Sequence, residues 1–187
     1  MIAGILLAAG RSTRFGTHKL LQPLADGMPM AIAALRHLAQ GVDEVIVVVR
    51  PDDHPLIKLL APEKARILPC VDAAHGMGAS LACGVRAAPK ADAWLIALAD
   101  MPYVPPAVIA ALLAQLRSGA AIVAPSHQGK RGHPVGFSRA FYADLAALSG
   151  DQGARHLLDH YANQLSLIPV ADPGILRDID TPADLAG

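Results

Sequence analysis

The run Val45-Ile46-Val47-Val48-Val49 constrains this chain more than any other feature, because it is β-branched throughout and has no polar face. Side chains along a strand point alternately to opposite sides, so such a run is stable only where apolar matter covers both. Similar short runs span residues 2 to 8, 65 to 70 and 93 to 99, with the β-branched one beginning at residue 44. Between them lie stretches of helical character at 28 to 39 (Met30, Ala33, Ala34, Leu38), 53 to 60, and 78 to 87 (Leu81, Val85). Strand and helix in alternation predict a largely parallel sheet with right-handed crossovers.

The second half is less regular. A helix is marked by Pro105 and Pro106 at its start, by Ile109, Leu112, Leu113 and Leu116 along one face, and by Gly119 at its end. The pattern then predicts a strand at 121 to 124, a polar glycine-rich loop at 126 to 132, and a strand at 133 to 138. Helices near 139 to 148 and 152 to 161, a strand near 165 to 170 and a short helix from Pro182 to Ala186 complete the reading. No repeat or linker divides the chain, so residues 1–187 are expected to form one domain.

At 187 residues a single core suffices, burying roughly 70% of the unfolded chain's surface. Sixteen basic and sixteen acidic side chains cancel, so no overall field draws the chain to nucleic acid or an anionic membrane. Anion binding must therefore come from local clusters, which points to a small-molecule ligand. No window approaches the ~20 apolar residues of a membrane span. The first residues, Met1-Ile2-Ala3-Gly4-Ile5-Leu6-Leu7, lack a basic n-region, so a soluble, cytoplasmic chain is expected. Cys70 and Cys83 show neither C-x-x-C nor zinc-type spacing and read as buried, reduced thiols.

The first strand ends in Leu7-Ala8-Ala9-Gly10 and releases into a loop carrying Arg11, Ser12, Arg14, His18 and Lys19. Ligands of an open parallel sheet bind at the carboxyl ends of its strands. Small residues there allow close approach, exposed amides face anionic oxygens, and cations neutralise charge. The loop matches neither G-K-[ST] nor G-x-G-x-x-G, and a solvated basic turn is the other reading of it.

The run Ala93-Trp94-Leu95-Ile96-Ala97-Leu98-Ala99 ends abruptly in Asp100-Met101-Pro102. A carboxylate closing a buried strand needs a cation or donors, and this one stands at the ligand edge, so Asp100 is read as a magnesium ligand. Helix capping is the alternative, although Met101 to Pro105 separate it from the next helix. Asp178 and Asp180 would share one face if their segment is a strand, and one of them is expected to join Asp100 on the ion. Capping of the last helix also accounts for Asp180. Gly76-Met77-Gly78-Ala79-Ser80 opens a helix, offering amides and the Ser80 hydroxyl to a nucleotide or simply capping. His133 stands exposed at the entry of a strand, where a structural turn histidine is the other reading, and Asp151 and Arg155 open a helix as a cap and a possible anion ligand.

Taken in order, these blocks resemble the molybdenum cofactor cytidylyltransferases of the MobA-like nucleotidyltransferase superfamily. Leu7-Ala8-Ala9-Gly10-Arg11-Ser12-Thr13-Arg14-Phe15-Gly16-Thr17-His18-Lys19 fits that signature at every fixed position. Asp100-Met101-Pro102, Gly132-His133-Pro134-Val135-Gly136-Phe137, Gly150-Asp151-Gln152-Gly153-Ala154-Arg155 and Asp178-Ile179-Asp180-Thr181-Pro182 follow as later blocks, so the resemblance spans almost the whole chain.

The resemblance implies a single-domain, three-layer α/β/α Rossmann-like fold with a mostly parallel mixed sheet. It implies that Arg14 and Lys19 grip a triphosphate and that Asp100 holds Mg2+. Leu7, Ala8, Ala9, Gly10, Arg11, Ser12, Gly78 and Ser80 would surround the nucleotide, and His133, Asp151 and Arg155 would face the acceptor. Ala9, where guanylyltransferases look more often glycine-rich, leans the chain toward CTP. The implied reaction moves CMP from CTP onto the terminal phosphate of molybdenum-molybdopterin, with a molybdoenzyme as possible partner. Rival readings keep the chemistry with GTP or a sugar or alditol phosphate, or make the chain a non-catalytic pterin-cofactor delivery protein.

Overall fold

The structure is a computed structural model that describes residues 1–10, 15 and 18–185. Its centre is an eight-stranded sheet ordered β3-β2-β1-β4-β7-β5-β6, with β8 on the other side of β5. β1 (Ile2–Leu7) runs parallel between β2 (Glu44–Val49) and β4 (Ala93–Leu98), and β3 (Arg66–Pro69) extends the parallel set beyond β2. β7 (Val135–Ser138) is antiparallel to both its neighbours, β4 and β5 (Ile122–His127), so β5 regains the direction of β4. β8 (Leu165–Pro169) is parallel to β5. The sheet is therefore mixed but mostly parallel.

Both faces of the central strands are covered, as the β-branched run requires. Ile2 and Leu6 of β1 pack with Met30, Leu35 and Leu38 of α1 (Met30–Ala39), with Leu56 and Leu60 of α2 (His54–Leu60), and with Leu112 and Leu113 of a later helix, Pro106–Arg117. Ala3 and Ile5 point the other way, into a second cluster with Leu81 and Val85 of α3 (Met77–Ala87). Numbering the Pro106–Arg117 helix α4, this second face is completed by Leu145 of α5 (Tyr142–Ala146) and by Leu157 and Leu158 of α6 (Arg155–His160). The result is a three-layer α/β/α domain. Close packing is enforced at Gly84, where a Cβ would stand 2.5 Å from Cγ2 of Ile5 and 3.0 Å from Cγ2 of Val48.

The structure departs from the sequence-based expectations in three places. The polar stretch at 126 to 132 is a hairpin, in which β5 continues through His127 and pairs with β6 (Lys130–Arg131). Gln128 and Gly129 take φ of 49° and 77°, the paired left-handed conformation that a two-residue hairpin turn demands. Residues 177–180 are not a strand, and the segment from Pro182 is a 3-10 turn, Pro182–Leu185. Asp151 does not cap α6, whose N-cap is Ala154 without a side-chain bond. No helix among the described residues is long and apolar enough to cross a membrane.

Candidate active site

At the carboxyl edge of the parallel strands a cleft of about 410 Å³ opens over Leu7, Ala8, Ala9 and Gly10. Lys19, Leu20, Leu98, Asp100 and Asp180 line it, as do Arg50, Ala73, Ala74, Gly76, Met77, Ser80 and Asp151.

Lys19 sits on a 3-10 turn, Lys19–Leu21, fixed by several local contacts. Leu20 is buried, the Gln22 amide side chain donates to the His18 carbonyl at 3.2 Å, and the Met30 amide donates to the Gln22 carbonyl at 2.9 Å. The His18 ring nitrogen Nε2 lies 2.7 and 2.8 Å from the two carboxylate oxygens of Asp53. Asp53 is itself buried and accepts from the Leu56 amide at 3.2 Å, capping α2. His18, expected among the loop's cations, is therefore tied to the start of α2.

So placed, Lys19 donates from Nζ to Oδ2 of Asp100 at 2.9 Å and to Oδ1 of Asp180 at 3.1 Å. Burial is the largest single influence on this ammonium and lowers its pKa, but the hydrogen bonds and charges of Asp100 and Asp180 outweigh it and raise the pKa above the ordinary lysine value. Asp100 is fixed because the Ala99 amide donates to Leu7 and the Ile179 amide to the Asp100 carbonyl, at 3.0 and 2.9 Å. Ile179 is fully buried, and that anchor brings Asp180 beside Asp100. Asp184 then holds the segment: its carboxylate accepts from the amides of Asp180 and Thr181 at 3.0 and 2.7 Å, and from the Thr181 hydroxyl at 2.9 Å. Those donors, the Thr181 amide first, keep the Asp184 carboxyl below the usual range. Asp178 is exposed and outside the cleft, so of the two candidates it is Asp180 that stands with Asp100.

Other expected site residues are distributed as follows. Leu7, Ala8, Ala9, Gly10, Ser80 and Asp151 line the cleft. Ser80 is buried within α3, its hydroxyl 3.4 Å from the Gly76 carbonyl, so it is not a helix cap. Gly78 turns to the neighbouring loop: its amide donates to the Gly150 carbonyl at 2.7 Å, and a Cβ there would stand 2.6 Å from the Ser149 carbonyl oxygen. His133 lies in a separate small cavity with His37, Leu98 and Met101, and Arg155 is exposed, outside the cleft. Arg11, Ser12 and Arg14 fall outside the described residues. Cys70 is buried and Cys83 partly so, both free thiols. Burial, followed by the Cys70 thiol, pushes the Cys83 thiol up to about 12, which makes it a poor nucleophile.

Arg50 was not singled out from sequence, although it closes β2 at the same edge where Asp100 closes β4. The rule that ligands meet strand ends would have found it.

The cleft thus sets an ammonium between two carboxylates on a floor of small residues, at the edge where ligands of a parallel sheet bind. Residues 4–165 match the MobA-like NTP transferase domain, and the chain belongs to that family; it is a nucleotidyltransferase. It is 34% identical to the purine catabolism protein PucB of Bacillus subtilis, over 98% of this chain and 93% of that one. It is 41% identical to a molybdenum cofactor guanylyltransferase of Burkholderia ambifaria, over 66% of this chain and 60% of that protein. Among solved structures, Rv0371c of Mycobacterium tuberculosis H37Rv superposes with a TM-score of 0.87 at 29% identity, covering 99% of this chain and 95% of that one. The same protein in complex with manganese gives 0.79 at 26% identity, covering 99% and 96%.

Proposed function

We propose that this enzyme transfers CMP from CTP to the terminal phosphate of a molybdopterin-type acceptor, releasing pyrophosphate with the help of a divalent metal ion. The observation that carries the reading is Lys19 bridging Asp100 and Asp180 on the floor of the cleft.

A phosphate monoester is already anionic near neutral pH, so it attacks the α-phosphorus without a serine nucleophile or strong base. What remains is to align the reactants and to neutralise charge on the five-coordinate phosphorus and departing pyrophosphate. Lys19 is the protein's cation at that point, and its raised pKa keeps it charged. On the sequence pattern, Arg14 is the second residue expected to grip the triphosphate. Asp100 and Asp180 would hold Mg2+ through the hard carboxylate oxygens that suit it. When bound, the ion would add positive charge against the triphosphate. The manganese complex of Rv0371c supports a divalent ion in this family.

Ala9, buried at the cleft floor where guanylyltransferases look more often glycine-rich, supports CTP as the nucleotide. The names of the molybdenum cofactor guanylyltransferases support an acceptor of the molybdenum cofactor type. The test is pyrophosphate release by purified protein with CTP, GTP, ATP and UTP, each with molybdopterin and with sugar or alditol phosphates. CTP with molybdopterin is the expected best pair. Preference for GTP overturns the base assignment, a better sugar phosphate overturns the acceptor, and no release with any pair favours a delivery protein.

A further inference from the structure

Asp151 is a carboxylate facing into a cleft that takes a polyanion, where its own charge opposes binding unless the ligand brings donors to it. Among the described residues none donates to that carboxylate, and it caps no helix. Nor is it a third ligand of the Asp100 and Asp180 pair, since no three His, Cys, Asp or Glu side chains cluster as a metal site among the described residues. The backbone nonetheless makes room for it. Gly76, at φ 110°, has no Cβ, and one would stand 2.2 Å from Oδ1 of Asp151. The neighbouring Gly78 amide latches this loop to the start of α3, and Gly153 at φ 55° leaves space for the Met77 sulfur, 3.1 Å from where its Cβ would be. Three glycines thus seat the 150–153 turn so that the carboxylate forms part of the cleft wall.

Resting on the nucleotidyl-transfer reading above, we propose that Asp151 recognises two adjacent N–H donors of the substrate, the ring N–H and exocyclic amino group of a 2-amino-4-oxopyrimidine edge. The two coplanar oxygens of an ionised carboxylate accept from such a pair in parallel, as they do from a guanidinium. A pterin acceptor and a guanine base both carry this edge. Cytosine does not, because its amino group adjoins a ring acceptor. With CTP as the nucleotide, Asp151 therefore reads the acceptor.

The experiment is equilibrium titration of the full chain with two pairs of probes that differ in the amino group. Pterin is compared with lumazine for the acceptor, and GTP with ITP for the base. The wild type is expected to prefer the amino-bearing member of at least one pair by about tenfold or more, the effect of one hydrogen bond to a charged group. Discrimination of pterin assigns Asp151 to the acceptor, and discrimination of GTP to the base. Asp151→Asn and Asp151→Ala are expected to reduce the ratio to near unity. No discrimination by the wild type in either pair overturns the proposal, whatever the variants do, and so does discrimination that survives in folded variants. Pyrophosphate release is measured separately. A wild type that discriminates without turnover sinks the transfer reading alone, and one that turns over without discriminating sinks this proposal alone.

Discussion

Lys19 and Asp100 meet at 2.9 Å across 81 residues of chain, one from the loop after β1 and the other from the end of β4, the strand beside it. The pair exists because two neighbouring parallel strands end at the same edge.

Lys19→Ala is expected to lower pyrophosphate release about 10²- to 10³-fold, the loss that follows removal of one preorganised charge stabiliser. Circular dichroism should stay that of the folded protein. Lys19→Arg is expected to restore little, since the planar guanidinium does not replace a compact ammonium held between two carboxylates. Near-normal turnover by Lys19→Ala removes Lys19 from the chemistry, and near-normal turnover by Lys19→Arg shows that charge alone suffices there.

Chelation of divalent metal should stop turnover, and added Mg2+ or Mn2+ should restore it. Asp180→Asn is expected to raise the metal concentration giving half-maximal rate while leaving the thermal midpoint nearly unchanged. An unaltered metal dependence would show that Asp100 acts without Asp180.

Ala9→Gly should shift the ratio of kcat/KM values from CTP toward GTP by about tenfold or more, because one methyl group in a pocket is worth roughly 1–3 kcal/mol. A ratio unmoved by the substitution places base selection elsewhere, with Arg50 the next residue to vary.

Much of this site could be read before folding because strand ends advertise themselves. The apolar run of β4 breaks at Asp100, and β1 breaks at Gly10. The rest depends on partners that no local pattern reveals. His18 resembles any basic loop residue until Asp53, 35 positions later, takes it. Asp151 looks like a helix cap because Asp often is one, yet α6 begins at Arg155, too late to use it. The 126 to 132 stretch looks like a loop because its strand residues are polar and its hairpin stands at the sheet's periphery, where no core imposes alternation.

Stability should fall as pH drops from about 6.5, the ordinary histidine value, toward the lower folded pKa of His133. Burial and then Arg131 hold that ring's pKa down against the opposing pull of Asp100 and Asp178. The unfolded chain thus binds the proton first, and the contribution is present above 6.5 and lost below it. In thermal melts at pH 7.5 and 5.5, His133→Asn is expected to show a smaller drop in midpoint than the wild type. Equal drops would mean that His133 is not held neutral.

Gly84→Ala is expected to destabilise the fold by about 1–3 kcal/mol through overpacking, despite alanine's better helix propensity. The added methyl group would meet Ile5 and Val48 directly, so α3 must lift from the sheet. Chemical denaturation measures the effect. A more stable variant would show that the helix moves away freely.

The reversal of β7 has one more effect. β1, β2 and β4 deliver their last residues to the rim, whereas β7, running against β4, delivers the turn that precedes it, Gly132-His133-Pro134. Chain direction thus partitions the rim, with residues that follow strands on one side and residues that introduce a strand on the other. Length or sequence can change at the Gln128-Gly129 turn without moving the ends of β1, β2 or β4, whereas Gly132 is held in place, since a Cβ there would stand 2.3 Å from the Ile175 carbonyl oxygen.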